Sequence, residues 1–421
     1  MADTDSSILF VNNLSYTLPT PSSVVTNRVV KRSYFQNRTY GSQSTMIAQW
    51  NTGNDFINTK NSKLVLKVKG LGNTVDTSES SFGLTGSGMN LVKNIRIYHR
   101  SGTTYTNTQS MNLYRAKVDR CVESPAWFSS IGAPLMGYDR AIVFSNTGVD
   151  GTGDTQYVEI PLNKLHPFFQ PHGDVMIPSC VASGLRIEID LEQATSAFQK
   201  FGAGSYMKDY TIEDCYFSLE SYSLMDSAVA SLNTVASTQS LEYLYTDIFT
   251  SKNSQPSNTS QLNVDINKSV ALASECIGCY QLQSDIGAFA SDSFRTEYNQ
   301  GSWWYLLGSN QFPQVKIDNI KSGYHQALLT FDKFSHPQND SSLVYSRTGD
   351  PSTWELQYGI YAMSLERDCS LALSQNPVNA SRSLRFELTY DVPPGEAVLF
   401  TIFMTYLSSA RSTLLNSRVD V

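Results

Sequence analysis

The strongest constraint on this chain is that its second half repeats the strand pattern of its first. Leu185-Arg186-Ile187-Glu188-Ile189 follows Ala182-Ser183-Gly184, and Leu384-Arg385-Phe386-Glu387-Leu388 follows Ser381-Arg382-Ser383. Both runs alternate apolar and polar residues, the period-two signature of a strand with one face buried. Each leads on to an aromatic-rich strand, Tyr216 to Leu224 in one half and Val398 to Tyr406 in the other. Upstream, Lys63-Leu64-Val65-Leu66-Lys67-Val68 finds an echo in Gln261-Leu262-Asn263-Val264-Asp265-Ile266. The offsets are all roughly 200 residues, the size of one domain. Two similar all-β units point to a structural protein before any motif is sought.

The order of smaller elements agrees. Met46 to Trp50 and Lys63 to Lys69 read as strands, and the Gly- and Ser-rich residues 70–90 as a long loop. Strand Asn94 to Tyr98, turn His99 to Gly102, short strand Thr103 to Thr106 and helix Gln109 to Cys121 follow. The second half offers Trp303 to Leu307, Gly308-Ser309-Asn310, Val315 to Ile317 and a helix over Tyr324 to Phe331. Strand Tyr157 to Ile160 has its counterpart in Glu355 to Leu365, each preceded by a polar segment, 124–154 and 335–353. Segments this long inside a compact domain, beyond about 15 residues, carry function or contacts. They are expected to cluster at one end of the strands, with parts of them on an outer surface. The domain reading is an arm over 1–45, a first unit over 46–224, a small-residue connector over 225–240 and a second unit with a C-terminal tail over 241–421.

Composition narrows the function classes. Charged residues make up 16% of 421 residues, below the usual quarter or so, and the net charge is −7. Whole-molecule attraction to nucleic acid is therefore disfavoured, and any basic function must be local. Ile8 to Val11 is too brief for a signal peptide, no run approaches the ~20 apolar residues of a membrane span, and six cysteines without a secretory signal do not read as a disulfide framework. Folding in a reducing compartment is expected. The arm carries the one local basic patch, Arg28, Lys31, Arg32 and Arg38, interleaved with Tyr34, Phe35 and Tyr40. These four are candidates for contact with nucleic acid, an anionic membrane face or a neighbouring subunit.

Catalytic patterns fail one by one. A jelly-roll metalloenzyme would want His-x-His with a third His and a carboxylate, but His99, His166, His172, His325 and His336 contain no such pair. Cys276-Ile277-Gly278-Cys279 lacks the second pair of a zinc site and reads as buried thiols. No G-x-S-x-G elbow occurs, and Asp150 to Asp154 departs from a calcium loop. The residues assign no catalytic, cofactor or metal site, and no enzyme activity is expected.

With those residues in place, the chain resembles the double jelly-roll major capsid proteins, above all those of polinton-like viruses and virophages, in the lineage that includes adenovirus hexon. The resemblance spans about residues 45–410. It rests on Asn61-Ser62-Lys63-Leu64-Val65-Leu66, Ile160-Pro161-Leu162 with Leu165 and Phe168-Phe169, Leu307-Gly308-Ser309 with Phe312-Pro313, and Ser383 to Leu388 leading to Thr405-Tyr406. It implies two eight-stranded rolls per chain and a homotrimer whose six rolls fill a pseudo-hexameric position in the icosahedral shell of a double-stranded DNA virus. It also implies neighbouring capsomers, a single jelly-roll penton protein and minor capsid proteins as partners. An interior-facing arm that reaches neighbours, the genome or an internal membrane, and assembly inside the host cell without secretion, belong to the same expectation. The alternative class is a virion spike or a carbohydrate- or receptor-binding β-sandwich, for which Trp127 and Trp354 near loops would supply stacking surfaces.

Overall fold

The structure is a computed structural model. It describes residues 24–71, 81–138, 142–145, 154–171, 176–201, 209–239, 241–288, 292–298, 301–333, 342, 359–366 and 375–412. The first half holds β1 (Val25–Tyr34), β2 (Thr39–Gly41), β3 (Thr45–Gln49), β4 (Phe56–Leu71), β5 (Ser81–Leu84), β6 (Val92–Tyr98), β7 (Thr104–Thr108), β8 (Val143–Ser145), β9 (Thr155–Pro161), β10 (Arg186–Leu191), β11 (Phe198–Phe201) and β12 (Asp209–Leu224). The second holds β13 (Leu241–Gln255), β14 (Gln261–Ile266), β15 (Val270–Leu282), β16 (Gly301–Leu307), β17 (Asn310–Ile317), β18 (Tyr361–Ser364), β19 (Asn376–Val378), β20 (Leu384–Tyr390) and β21 (Val398–Ser412). Three longer helices are α1 (Met111–Val122), α2 (Asp226–Gln239) and α3 (Ile320–Thr330).

All strand pairing among the described residues is antiparallel. In the first half a sheet of order β1-β12-β4-β9, with β2 also on β12, accompanies a sheet of order β3-β10-β6-β7. In the second half the orders are β13-β21-β15-β18, with β19 also on β15, and β14-β20-β16-β17. Strand for strand the two plans coincide, and each is an eight-stranded jelly roll. The fold is all-β, a double jelly roll with short helices in its connections.

This equivalence corrects one element of the sequence repeat. Gln261–Ile266 is β14, which stands where β3 stands, whereas Lys63–Val68 lies in β4, the counterpart of β15. Period-two alternation tells a strand's buried face but not the sheet it joins, so two runs of like pattern can lie in different sheets.

Each roll closes over an aromatic core. In the first, Trp50 packs on Phe169 and Phe217 with ring centroids 5.6 Å apart in both cases. In the second, Phe386 stacks on Phe400 at 4.7 Å and lies 5.0 Å from Tyr305. Gly278 on β15 makes that stack possible, because a Cβ there would lie 2.7 Å from the Phe400 ring.

The expected arm is divided by the structure. β1 is hydrogen-bonded along β12, from Val25 opposite Leu224 to Tyr34 opposite Tyr216, and Phe35 and Tyr40 are buried in the core. Residues 24–45 therefore belong to the first roll, and the boundary at 45 is corrected; residues 1–23 lie outside the described residues. The reason the run looked arm-like is that β1 is an edge strand whose residues are mostly exposed, so it lacks alternation. The connector contains a helix, α2.

Segments 70–90 and 124–154 are also less loop-like than expected. They contribute β5 and β8, which join β11 from the β10–β12 connection in a three-stranded sheet of order β11-β5-β8. Three insertions thus meet at one end of the first roll. That end is the one where β4 finishes at Leu71 opposite Asp209, the start of β12. At the other end, Val25 pairs with Leu224 just before α2. Segment 335–353 lies outside the described residues except Ser342, which donates to the Arg120 carbonyl at 3.1 Å.

Candidate functional site

The four predicted cations lie on or beside the β1 edge, and three of them meet carboxylates. Arg28 Nε donates to Glu220 Oε1 at 2.5 Å, Lys31 pairs with Asp55, and Arg38 pairs with Asp214 at 2.5 Å. Arg32 lies over the Tyr216 ring, 4.7 Å from its centroid. Together they are a matched edge, with Val30 and Tyr34 exposed beside them, rather than a free cationic tail.

The larger feature, which the sequence reading did not single out, is the seam between the rolls. On β21, Phe400, Ile402 and Met404 fill the second roll's core, yet Thr401, Phe403 and Thr405 on the opposite face are just as buried. What covers them is the first roll: Tyr114 of α1 meets Phe403 at 5.3 Å. A strand buried on both faces reads as a near-continuous apolar run, and Val398 to Tyr406 is one. That was the signal available in the sequence.

β13 stitches the same seam. Tyr243 O–H donates to the Phe168 carbonyl at 2.5 Å, Tyr245 O–H to the Tyr105 carbonyl at 2.8 Å, and Thr250 to the Gln109 carbonyl at 2.9 Å. Phe168 lies 5.4 Å from Tyr243 and 4.8 Å from Tyr245. At the centre Asp247 is buried; it accepts from Tyr406 O–H at 2.5 Å, from Thr106 O–H and from the Ile248 N–H at 2.8 Å. Burial raises its pKa, and those donors oppose the shift. Beside it, His166 is held well below its usual pKa by burial and by Arg115. The ring is therefore neutral: Nδ1 accepts from the Phe168 N–H at 3.0 Å, which leaves Nε2–H to donate to Thr108 Oγ1 at 2.9 Å. Lys117, also buried, is lowered to about 8 by burial against the pull of Asp292 from the second roll.

The other sequence candidates are structural where described. Cys276 and Cys279 are buried in β15, and burial pushes Cys279 up to about 12. His99 is buried beside Ser101, and His325 is exposed on α3. Trp127 is half-buried, with Lys164 5.0 Å from its ring centroid and Phe128 against it at 5.2 Å. His172, His336, Trp354 and Asp150 lie outside the described residues. Among the described residues no helix is long and apolar enough to cross a membrane.

No family model matches the chain, and no curated protein matches it. Solved structures do. The PBCV-1 virus capsid protein superposes with a TM-score of 0.62 at 11% identity, over 92% of this chain and 95% of that one. The Sputnik virophage structure matches at 0.58 and 10%, covering 94% and 89%. The mavirus major capsid protein matches at 0.52 and 8%, covering 100% and 98%. The likeness runs through both rolls and identifies the fold of this chain with theirs.

Proposed function

We propose that this protein is a major capsid protein that assembles as a homotrimer, each trimer filling a pseudo-hexameric position of an icosahedral shell. The observation that carries the reading is a contact used once and left open once. Within the chain, α1 of the first roll covers the outer face of the β13-β21-β15-β18 sheet. The counterpart helix α3 keeps Lys321, His325 and Leu329 exposed on one side, and the counterpart sheet β1-β12-β4-β9 keeps Tyr157 exposed and Lys63, Glu159, Glu213 and Tyr216 accessible. A head-to-tail contact between unlike surfaces propagates until rotation closes it. Repeating the helix-on-sheet contact between chains, α3 of one on the open sheet of the next, gives six rolls from three chains.

The structural neighbours are capsid proteins rather than enzymes, and the reading assigns no catalysis. The β11-β5-β8 end is the proposed outer surface. The opposite end, where β1 begins beside α2, is the proposed inner surface, facing neighbouring capsomers, genome or membrane. The Arg28, Lys31, Arg32 and Arg38 edge is a proposed contact between neighbours. A penton protein and minor capsid proteins are the further partners this role implies, inside a double-stranded DNA virus of the polinton-like or virophage kind. The test is the solution mass of the purified chain: a stable three-chain species is expected, and a well-folded monomer at micromolar concentration overturns the proposal.

A further inference from the structure

A cavity of about 460 Å³ lies in the seam. Its first-roll wall is α1 with the turn at Asn163 and Lys164; its second-roll wall is the outer face of β13, β15 and β21, with Glu366 and Gln375 beyond β18. Four carboxylates, Asp119, Glu123, Glu275 and Glu366, face two cations, Arg115 and Lys164. The first-roll wall is electrically closed. Lys164 pairs with Glu123 and lies 3.4 Å from Asp119; Arg115 lies 3.5 Å from Asp119 and donates to the Asn163 carbonyl at 2.9 Å. Both cations are thereby engaged on their own wall, and among the described residues the second-roll lining presents Glu275 and Glu366 without a cation.

Independent of those charges, the cavity is lined by polar atoms without partners. Among the described residues Thr405 Oγ1, Gln375 Oε1 and Asn163 Oδ1 have none, and Thr405 is only 2% exposed. Arg115 Nε is the unpartnered donor among the lining groups. Glu366 Oε1 takes one long hydrogen bond, from Gln375 Nε2 at 3.5 Å. The remaining capacity on the second-roll wall is oxygen, carboxylate, hydroxyl and amide together, which is the ligand set of a hard divalent cation. We propose that the seam cavity binds a divalent cation of the Ca²⁺ type through Glu275, Glu366, Thr405 Oγ1 and Gln375 Oε1, with water completing its shell. At about 10–15 Å³ of cavity space per water the site has room for the ion and that shell. Among the described residues no three His, Cys, Asp or Glu side chains converge as ligands. With two carboxylates among its ligands the site is expected to be weak, with a Kd of about 10⁻⁴–10⁻³ M.

The experiment titrates the full chain with CaCl₂ at pH 8, reading heat and thermal midpoint, with MgCl₂ and spermidine as separate probes. Saturable Ca²⁺ binding at one site per chain and a raised midpoint are expected. Glu275→Gln and Glu366→Gln should each weaken binding by about tenfold or more, and Thr405→Val by less, since each removes oxygen ligands while keeping shape. Absence of Ca²⁺ binding at millimolar concentration overturns the proposal. So does binding undiminished in both Gln variants, which places the ion elsewhere, or spermidine binding without Ca²⁺ binding, which makes the cavity an organic-cation site. The site lies within one chain, so it is measured whether or not trimers form, and its failure is separate from failure of the capsid reading.

Discussion

α1 and α3 occupy the same place in their two rolls, yet they live in opposite environments. α1 is polar in sequence and buried nearly all round, with Arg115, Lys117 and Asp119 at 5%, 1% and 0% exposure. α3 buries Gly323, Ala327 and Leu328 but leaves Lys321, His325 and Leu329 in solvent, one above another at four-residue spacing. The sheets beneath them differ in the same way: β21 is buried on both faces, while β12 alternates through its first half. Burial here is set by which surface the chain has already covered, not by the character of the element. In α1 it demands that charges be paired, which is why Asp119 collects Tyr138 O–H at 2.7 Å, Lys164 and Arg115.

The largest break of the comparison is to remove a whole strand. β1 and β13 are counterparts, and β1 is the edge of its sheet. Deleting residues 1–45 removes β1, β2 and the start of β3, and is expected to abolish cooperative folding; deleting 1–23 should leave the thermal midpoint within about 2 °C. Circular dichroism melts of the two truncations decide it. Equal stability of both would return residues 24–45 to the status of an arm.

Next in size is a side chain from each outer sheet face. Phe403→Ala opens the covered face of β21 and should cost about 3–5 kcal/mol in denaturant unfolding. Tyr216→Ala on β12, where the ring is partly exposed beside Tyr34 and Arg32, should cost no more than about 1 kcal/mol. Comparable losses would mean that both sheets are covered within one chain.

The two sheets should also respond to pH with opposite signs. Glu275 on β15 has a folded pKa raised to about 7 from 4.5, so the native state holds a proton that the unfolded state releases. Its effect is a stability that falls as pH rises from about 4.5 to 7, by roughly 3 kcal/mol at most. Glu220 on β12 goes the other way: burial raises it, but hydrogen bonds from Asn61, Arg28 and Asn58 outweigh that and hold it below its usual value. Its contribution is present above the unfolded pKa and lost as pH falls through the folded one. Glu275→Gln should flatten the neutral limb of a stability–pH profile, and Glu220→Gln the acid limb. If Glu275→Gln leaves the neutral limb unchanged, the carboxylate is solvated rather than enclosed.

Much of this was legible in the residues because the repeat is written in local patterns. Arg186-Ile187-Glu188 and Arg385-Phe386-Glu387 fixed β10 and β20, and the helices came within a few residues of α1 and α3. Where reading failed, the information was not local. β1 looked like an arm because an edge strand buries little of itself. Segments 70–90 and 124–154 looked like loops because β5 and β8 are four and three residues long and are stabilised by each other across 60 to 64 residues of chain. The cavity was invisible because Glu275, Glu366 and Thr405 are brought together only when sheet register and seam are both set.

The smallest effect on the chain itself is the most discriminating. Leu329 is 53% exposed at the end of α3, so Leu329→Asp removes little buried area and should change the stability of an isolated chain by no more than about 0.5 kcal/mol. The matching change on the covered helix, Val118→Asp, buries a carboxylate next to Asp119 and should be destabilising by several-fold more. If α3 docks on the open sheet of a neighbour, Leu329→Asp places that same charge in an interface and should shift the solution mass from three chains to one while circular dichroism stays unchanged. A variant that remains a trimer would show that Leu329 lies outside the contact, and the helix-on-sheet arrangement seen inside the chain would then not be the one repeated between chains.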